Sequence, residues 1–142
     1  MHALRLSHAP AQDKDAPLLA VLDLADGFMV AQVPIGRGNG AVVYDASQRR
    51  VYACNGVAGN VAVVAQHPQD ADQYALLEAA TTYVGASRCA LDAATGTLWT
   101  ASAQGSYDPT RPANPDRAGV SFFPNVFFPN TIKLVSLRAT NG

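Results

Sequence analysis

Charge is scarce in this sequence. Charged residues make up 15% of its 142 positions, the formal net charge is −1, and Glu78 is the only glutamate. No global field therefore points to nucleic acid, a membrane surface or an acidic partner, and any binding has to come from a local patch. Long apolar runs are missing as well. None reaches the roughly 18 positions of a spanning helix, and Met1–Pro10 lacks the unbroken apolar stretch of a secretory signal. The expectation is a soluble chain with no membrane partner and no address of its own. At 49% apolar the chain can build one ordinary core but not two comfortable ones, so residues 1–142 read as a single domain.

The usual constellations of catalysis are also absent. His2, His8 and His67 have neither helical i,i+4 placement nor thiolate partners, which argues against a metal site. No serine sits in a G-x-S-x-G context, and no acid–base pair stands beside Glu78. Gly36–Gly40 (GRGNG) superficially suggests a phosphate loop, but it lacks the Lys-Ser/Thr and leads into a strand. Asp70 and Asp72 lack the rest of a calcium loop. No catalytic residue, metal or cofactor is expected.

What is present is a repeat. Gly38–Asn55 (GNGAVVYDASQRRVYACN) lies over Gly85–Ser102 (GASRCALDAATGTLWTAS) without a gap at an offset of 47 residues. Each opens on Gly, runs through apolar residues to Asp45 or Asp92, turns on small polar residues, and resumes with β-formers at Val51-Tyr52 or Leu98-Trp99. A period in this range marks a stacked or radial β array. The two aspartates read as turn residues whose carboxylates bind their own backbone.

The two cysteines, Cys54 and Cys89, form neither a zinc spacing nor a disulfide framework. The repeat puts Cys54 on the second strand of one unit and Cys89 on the first strand of the next, so they can meet across a packed interface. Two buried free thiols are favoured over a bridge. A catalytic thiolate is disfavoured, because neither has a nearby His or a helix start to lower its pKa.

Strand signals recur at short intervals with turn residues between them. Strands are expected at Leu4–His8, Leu18–Leu24, Phe28–Ile35, Ala41–Tyr44, Val51–Cys54, Val61–Ala65, Tyr74–Ala80, Arg88–Leu91, Leu98–Ala101 and Thr131–Leu137. Over Ala71–Ala80 local propensity favours a helix. The repeat favours a strand there, since Phe28–Val33 occupies the same slot, and consistency across copies is the stronger argument. The fold class is all-β, and four-stranded antiparallel units at this period read as a β-propeller-type array that is incomplete, with about 2.5–3 blades. A blade remnant covers about 1–36, a full blade about 37–84, and a last blade about 85–142 with a long loop at 103–130.

The sequence resembles the YVTN/YncE-type β-propeller repeat family. The matching pieces are Val42–Asn55 (VVYDASQRRVYACN), Gly59–Val64 (GNVAVV), Leu19–Gly36 (LAVLDLADGFMVAQVPIG) and Ala90–Ser102 (ALDAATGTLWTAS), so the likeness runs from about Leu18 to Leu137. It implies the C-terminal part of a longer propeller, because closed propellers have about 4–8 blades. Missing blades or self-association would then cover the strand edges. The resemblance implies a binding scaffold, with nucleic acid as a partner on family grounds alone. It also implies a periplasmic or secreted location for a fragment of a typical member, and a cytoplasmic one otherwise.

In a four-stranded meander the links between units and the second-to-third turns emerge on one face. That face receives Gly36–Gly40, Asn55–Asn60, Val84–Ser87 and Ala103–Asn130. The last carries Pro109, Pro112, Pro115, Pro124 and Pro129 and a doubled Phe-Phe-Pro-Asn, and long loops in compact domains are usually functional or disordered. Phe122, Phe123, Phe127 or Phe128 are expected to be buried against the rim or a partner. Arg37, Asn39, Arg88, Tyr107 and Arg111 share this face as candidate ligand-binding residues for a small-molecule or polymeric anion. The function expected is a non-catalytic binding or interaction scaffold. The alternatives are a fragment of a propeller hydrolase or lactonase, and a purely structural assembly piece.

Overall fold

A computed structural model describes residues 2–8, 17–112 and 124–140. Among them the chain is all-β and antiparallel, with no helix. The strands are β1 (His2–His8), β2 (Pro17–Asp23), β3 (Met29–Pro34), β4 (Asn39–Asp45), β5 (Arg50–Asn55), β6 (Asn60–Gln66), β7 (Tyr74–Thr81), β8 (Cys89–Asp92), β9 (Thr97–Ser102), β10 (Gly105–Ser106), β11 (Val126–Phe127) and β12 (Lys133–Arg138). They form a first sheet β1-β2-β3, a four-stranded middle sheet β4-β5-β6-β7, a third sheet β12-β9-β8 and a small β10-β11 ladder.

The middle sheet is apolar on both faces, and each face is covered. Val51 and Val64, with Val42 beside them, pack on Leu19 and Val33 of the first sheet. Their sequence neighbours point the other way, as strand alternation requires: Tyr52, Cys54, Val61 and Val63 pack on Leu98, with Leu91 and Leu137 of the third sheet alongside. Burial on two faces explains why β5 and β6 read as continuous apolar runs rather than alternating ones. Val51 and Leu98 are fully buried, whereas Val42 on the edge strand β4 and Cys89 at the start of β8 are only half-buried.

The 47-residue repeat holds at the level of register. Val43 pairs with Tyr52 and Asp45 with Arg50, and the residues 47 positions on, Ala90 with Trp99 and Asp92 with Thr97, pair in the same way. It extends to the turns. Arg49 and Gly96 are equivalent and both take a left-handed backbone, with φ of 52° and 64°, the conformation that costs an ordinary side chain and not glycine. Asp45 accepts from Ser47 N (2.9 Å), Ser47 Oγ (2.6 Å) and Gln48 N (3.2 Å), and Asp92 accepts from Ala94 N (3.1 Å) and Thr95 Oγ1 (2.6 Å). The aspartates therefore build turns. The Ser47 hydroxyl in one and the Thr95 hydroxyl in the other are the main reason both carboxyls lie below their ordinary pKa.

The strand reading of Tyr74–Ala80 holds against local helix propensity, the strand running Tyr74–Thr81. It pairs along β6 with a bulge at Leu77, between Val63↔Glu78 and Val64↔Leu76. One expectation is corrected. Cys54 and Cys89 are not free thiols but a disulfide, with Cα atoms 6.4 Å apart. Both lie in the interface between the middle and third sheets, where alternation aims them at each other.

Candidate functional site

The four loops assigned to one face come together around a single cleft of about 930 Å³. Gly38 and Asn39 line it from the link into β4, Gly56 and Val57 from the β5–β6 turn, Val84, Gly85 and Ser87 from the link into β8, and Ala103, Gln104, Pro124, Phe127 and Phe128 from the long loop. Tyr83, Ser102, Gly105, Thr131 and Lys133 complete the described wall.

Backbone contacts hold these loops in place. Gly56 N donates to Gly38 O (2.8 Å), Ala58 N to Arg37 O (3.1 Å) and Gly85 N to Gly56 O (2.7 Å), which ties three loops in series. The approach is close enough to require glycine. A Cβ on Gly40 would lie 2.5 Å from the Ser87 carbonyl oxygen, and one on Gly56 would lie 2.7 Å from the Ser87 Cβ. Beneath them, fully buried Asn55 is hydrogen-bonded to Asn39 and Asn60, which fixes the floor without placing a charge there. The long loop is closed by Asn125, whose Oδ1 accepts from Asp108 N (2.8 Å) while its Nδ2 donates to Asp108 O (2.8 Å).

The wall is mostly apolar and unusually exposed. Val57, Tyr83, Val84, Phe127 and Phe128 are among the large apolar side chains left open to solvent. Phe127 is 60% exposed and Phe128 47%, so these two are not buried against the rim of this chain. The short β10-β11 ladder holds the Phe127 backbone opposite Gly105 at the cleft edge, with most of the side chain left open to solvent. Phe122 and Phe123 lie outside the described residues. Three polar side chains of the wall are committed to it. Ser102 Oγ donates to Val84 O (2.5 Å), Thr131 Oγ1 to Phe128 O (2.8 Å) and Asn39 Nδ2 to Gly36 O (3.1 Å). Among the described residues the one basic side chain in the wall is Lys133, with Nζ 4.2 Å from the centroid of the Tyr83 ring.

Of the candidate binding residues only Asn39 lines this cleft. Arg37 is exposed beside it. Arg88 turns its guanidinium onto the Gly40 carbonyl (2.6 Å), clamping the middle sheet to the third. Arg111 pairs with Asp108 at 3.6 Å, whose carboxyl lies below its ordinary pKa chiefly because of the Thr110 hydroxyl. Tyr107 is exposed outside the cleft wall. Lys133 and Tyr83 were not singled out from sequence, because one begins the last strand and the other stands at the start of a link, and only the fold makes them neighbours. Among the described residues no group of three or more His, Cys, Asp or Glu gathers. Comparison with known protein families, characterised proteins and solved structures returns no match.

Proposed function

We propose that the chain is a non-catalytic binding scaffold, part of a β-propeller-type array of the YVTN/YncE kind, and that it takes its ligand in the cleft between the loops of its middle and third sheets. The observation that carries this reading is the convergence of all four loops of one face on one mostly apolar cleft. Its size falls at the upper end of the range of about 300–1,000 Å³ common for ligand sites. Among the described residues the wall contains no His, Cys, Asp or Glu, the groups that most often carry hydrolytic acid–base chemistry, and this disfavours the hydrolase alternative.

The propeller reading is supported by how the sheets stack. Val51 faces the first sheet, and its equivalent Leu98 faces the middle sheet, so successive units use equivalent faces in the same sense. The Cys54–Cys89 bridge favours an oxidising compartment, where such bonds persist.

A fragment screen read by protein NMR tests the site. Shifts gathered at Gly38-Asn39, Gly56-Val57, Tyr83–Ser87 and Phe127–Lys133 are the expected result. Hits confined to other surfaces, or none across the screen, would overturn it.

A further inference from the structure

We infer that the cleft takes a small aromatic anion, its flat apolar body held among Tyr83, Val84, Phe127 and Phe128 and its single carboxylate set against the Lys133 ammonium. The inference rests on the binding reading above and goes beyond it by naming the chemistry of the ligand.

Three features of the wall lead to this class. The first is the exposed apolar surface itself. Val84 is 73% exposed and Phe127 60%, and large apolar side chains left open around a concavity favour a partner that removes them from water. Aromatic rings among them prefer an aromatic body, which can stack or meet them edge to face.

The second is charge. Among the described residues Lys133 is the only basic one in the wall, and no carboxylate shares it. Among the described residues no carboxylate pairs with Lys133. Its ammonium lies over the Tyr83 ring at 4.2 Å, an attraction that holds the cation at the level of the aromatic surface. An ammonium has three donors, and the ring engages one side of it, so the others can meet a carboxylate while the ligand's rings lie on the apolar wall.

The third feature excludes other classes. A neutral sugar would need several uncommitted side-chain donors and acceptors, but Ser102, Thr131 and Asn39 already bond to the Val84, Phe128 and Gly36 carbonyls, which leaves Ser87 and Gln104 as the neutral polar side chains for it in a mostly apolar wall. A nucleotide or polyphosphate would bring several negative charges to a wall with a single lysine. A cation would meet Lys133 with no carboxylate to offset it.

Calorimetric titration with 2-naphthoate and its neutral isostere 2-naphthamide tests the inference, with NMR shifts locating each ligand. The acid should bind at least tenfold more tightly than the amide, with shifts at Tyr83, Val84, Phe127 and Phe128, and its affinity should weaken with added salt. Lys133→Met should bring the acid down to the amide, and Lys133→Arg should keep the preference. Both variants are judged at an unchanged circular dichroism spectrum, which is the expected background because the site is exposed. Equal binding of acid and amide in the cleft would overturn the inference and leave the binding reading standing. Failure of both probes to bind would overturn it too, and the fragment screen would then decide the broader reading by itself.

Discussion

Cys54 on β5 and Cys89 on β8 are bonded to each other, joining the middle sheet to the third across 35 residues of sequence. The bond crosses the same interface that buries Tyr52, Val61 and Leu98, so it and the apolar packing resist the same separation of sheets.

Reduction should therefore loosen this interface first. On the chain-entropy account a loop of this length contributes about 3–4 kcal/mol. Urea unfolding with and without reductant, and of a Cys54→Ala, Cys89→Ala double variant, should show a loss of about 2–4 kcal/mol. Identical midpoints in both states would contradict it.

Asp45 is buried at 2% exposure and accepts hydrogen bonds from Ser47 and Gln48, with Ser47 the main cause of its lowered pKa. A carboxyl whose folded pKa is depressed stabilises fully above its unfolded value of about 3.9, and that contribution fades as pH falls through the folded value. Asp45→Ala should cost about 1–3 kcal/mol at pH 7. The gap from the parent protein should narrow below about pH 4, and a gap independent of pH in denaturant titrations would refute the assignment.

Gly40 and Gly27 separate two reasons for glycine. At Gly40 a Cβ would meet the Ser87 carbonyl oxygen at 2.5 Å, whereas at Gly27 nothing lies within 4 Å and only the φ of +77° is demanding. Gly40→Ala should cost about 1–3 kcal/mol through overpacking and shift the NMR resonances of Ser87 in the cleft wall. Gly27→Ala should cost about 1–2 kcal/mol through backbone strain and leave the cleft unmoved. Similar cleft perturbation in both would show that the close approach is not what selects glycine at position 40.

The outer face of the third sheet carries Trp99, at 41% exposure, and Leu134, at 69%. Trp99 is the equivalent of Tyr52, which is covered by the third sheet. The chain should therefore self-associate, with light scattering giving a mass that rises with concentration in the micromolar range. Trp99→Lys combined with Leu134→Glu should return a monomer. A monomeric parent protein at the same concentrations would overturn this.

Local chemistry made much of this protein legible before its fold was known. The gapless alignment of Gly38–Asn55 on Gly85–Ser102 set the hairpins, their register and the role of Asp45 and Asp92, because strand alternation and turn residues act over a few neighbours. The up-and-down course of a four-stranded meander sorted the loops onto faces, and so the four that line the cleft were identifiable as a group. Distances between segments were not. That Cys54 and Cys89 come close enough to bond depends on how two sheets stack, and stacking is decided by side-chain volumes such as those of Tyr52 and Leu98 summed over a whole interface. The arginines looked like the anion site because charge is visible in a sequence, yet Arg88 is spent on the Gly40 carbonyl and Arg111 on Asp108. Tertiary structure alone put Lys133 over Tyr83 and left Phe127 uncovered, since exposure belongs to the packed chain and not to any residue within it.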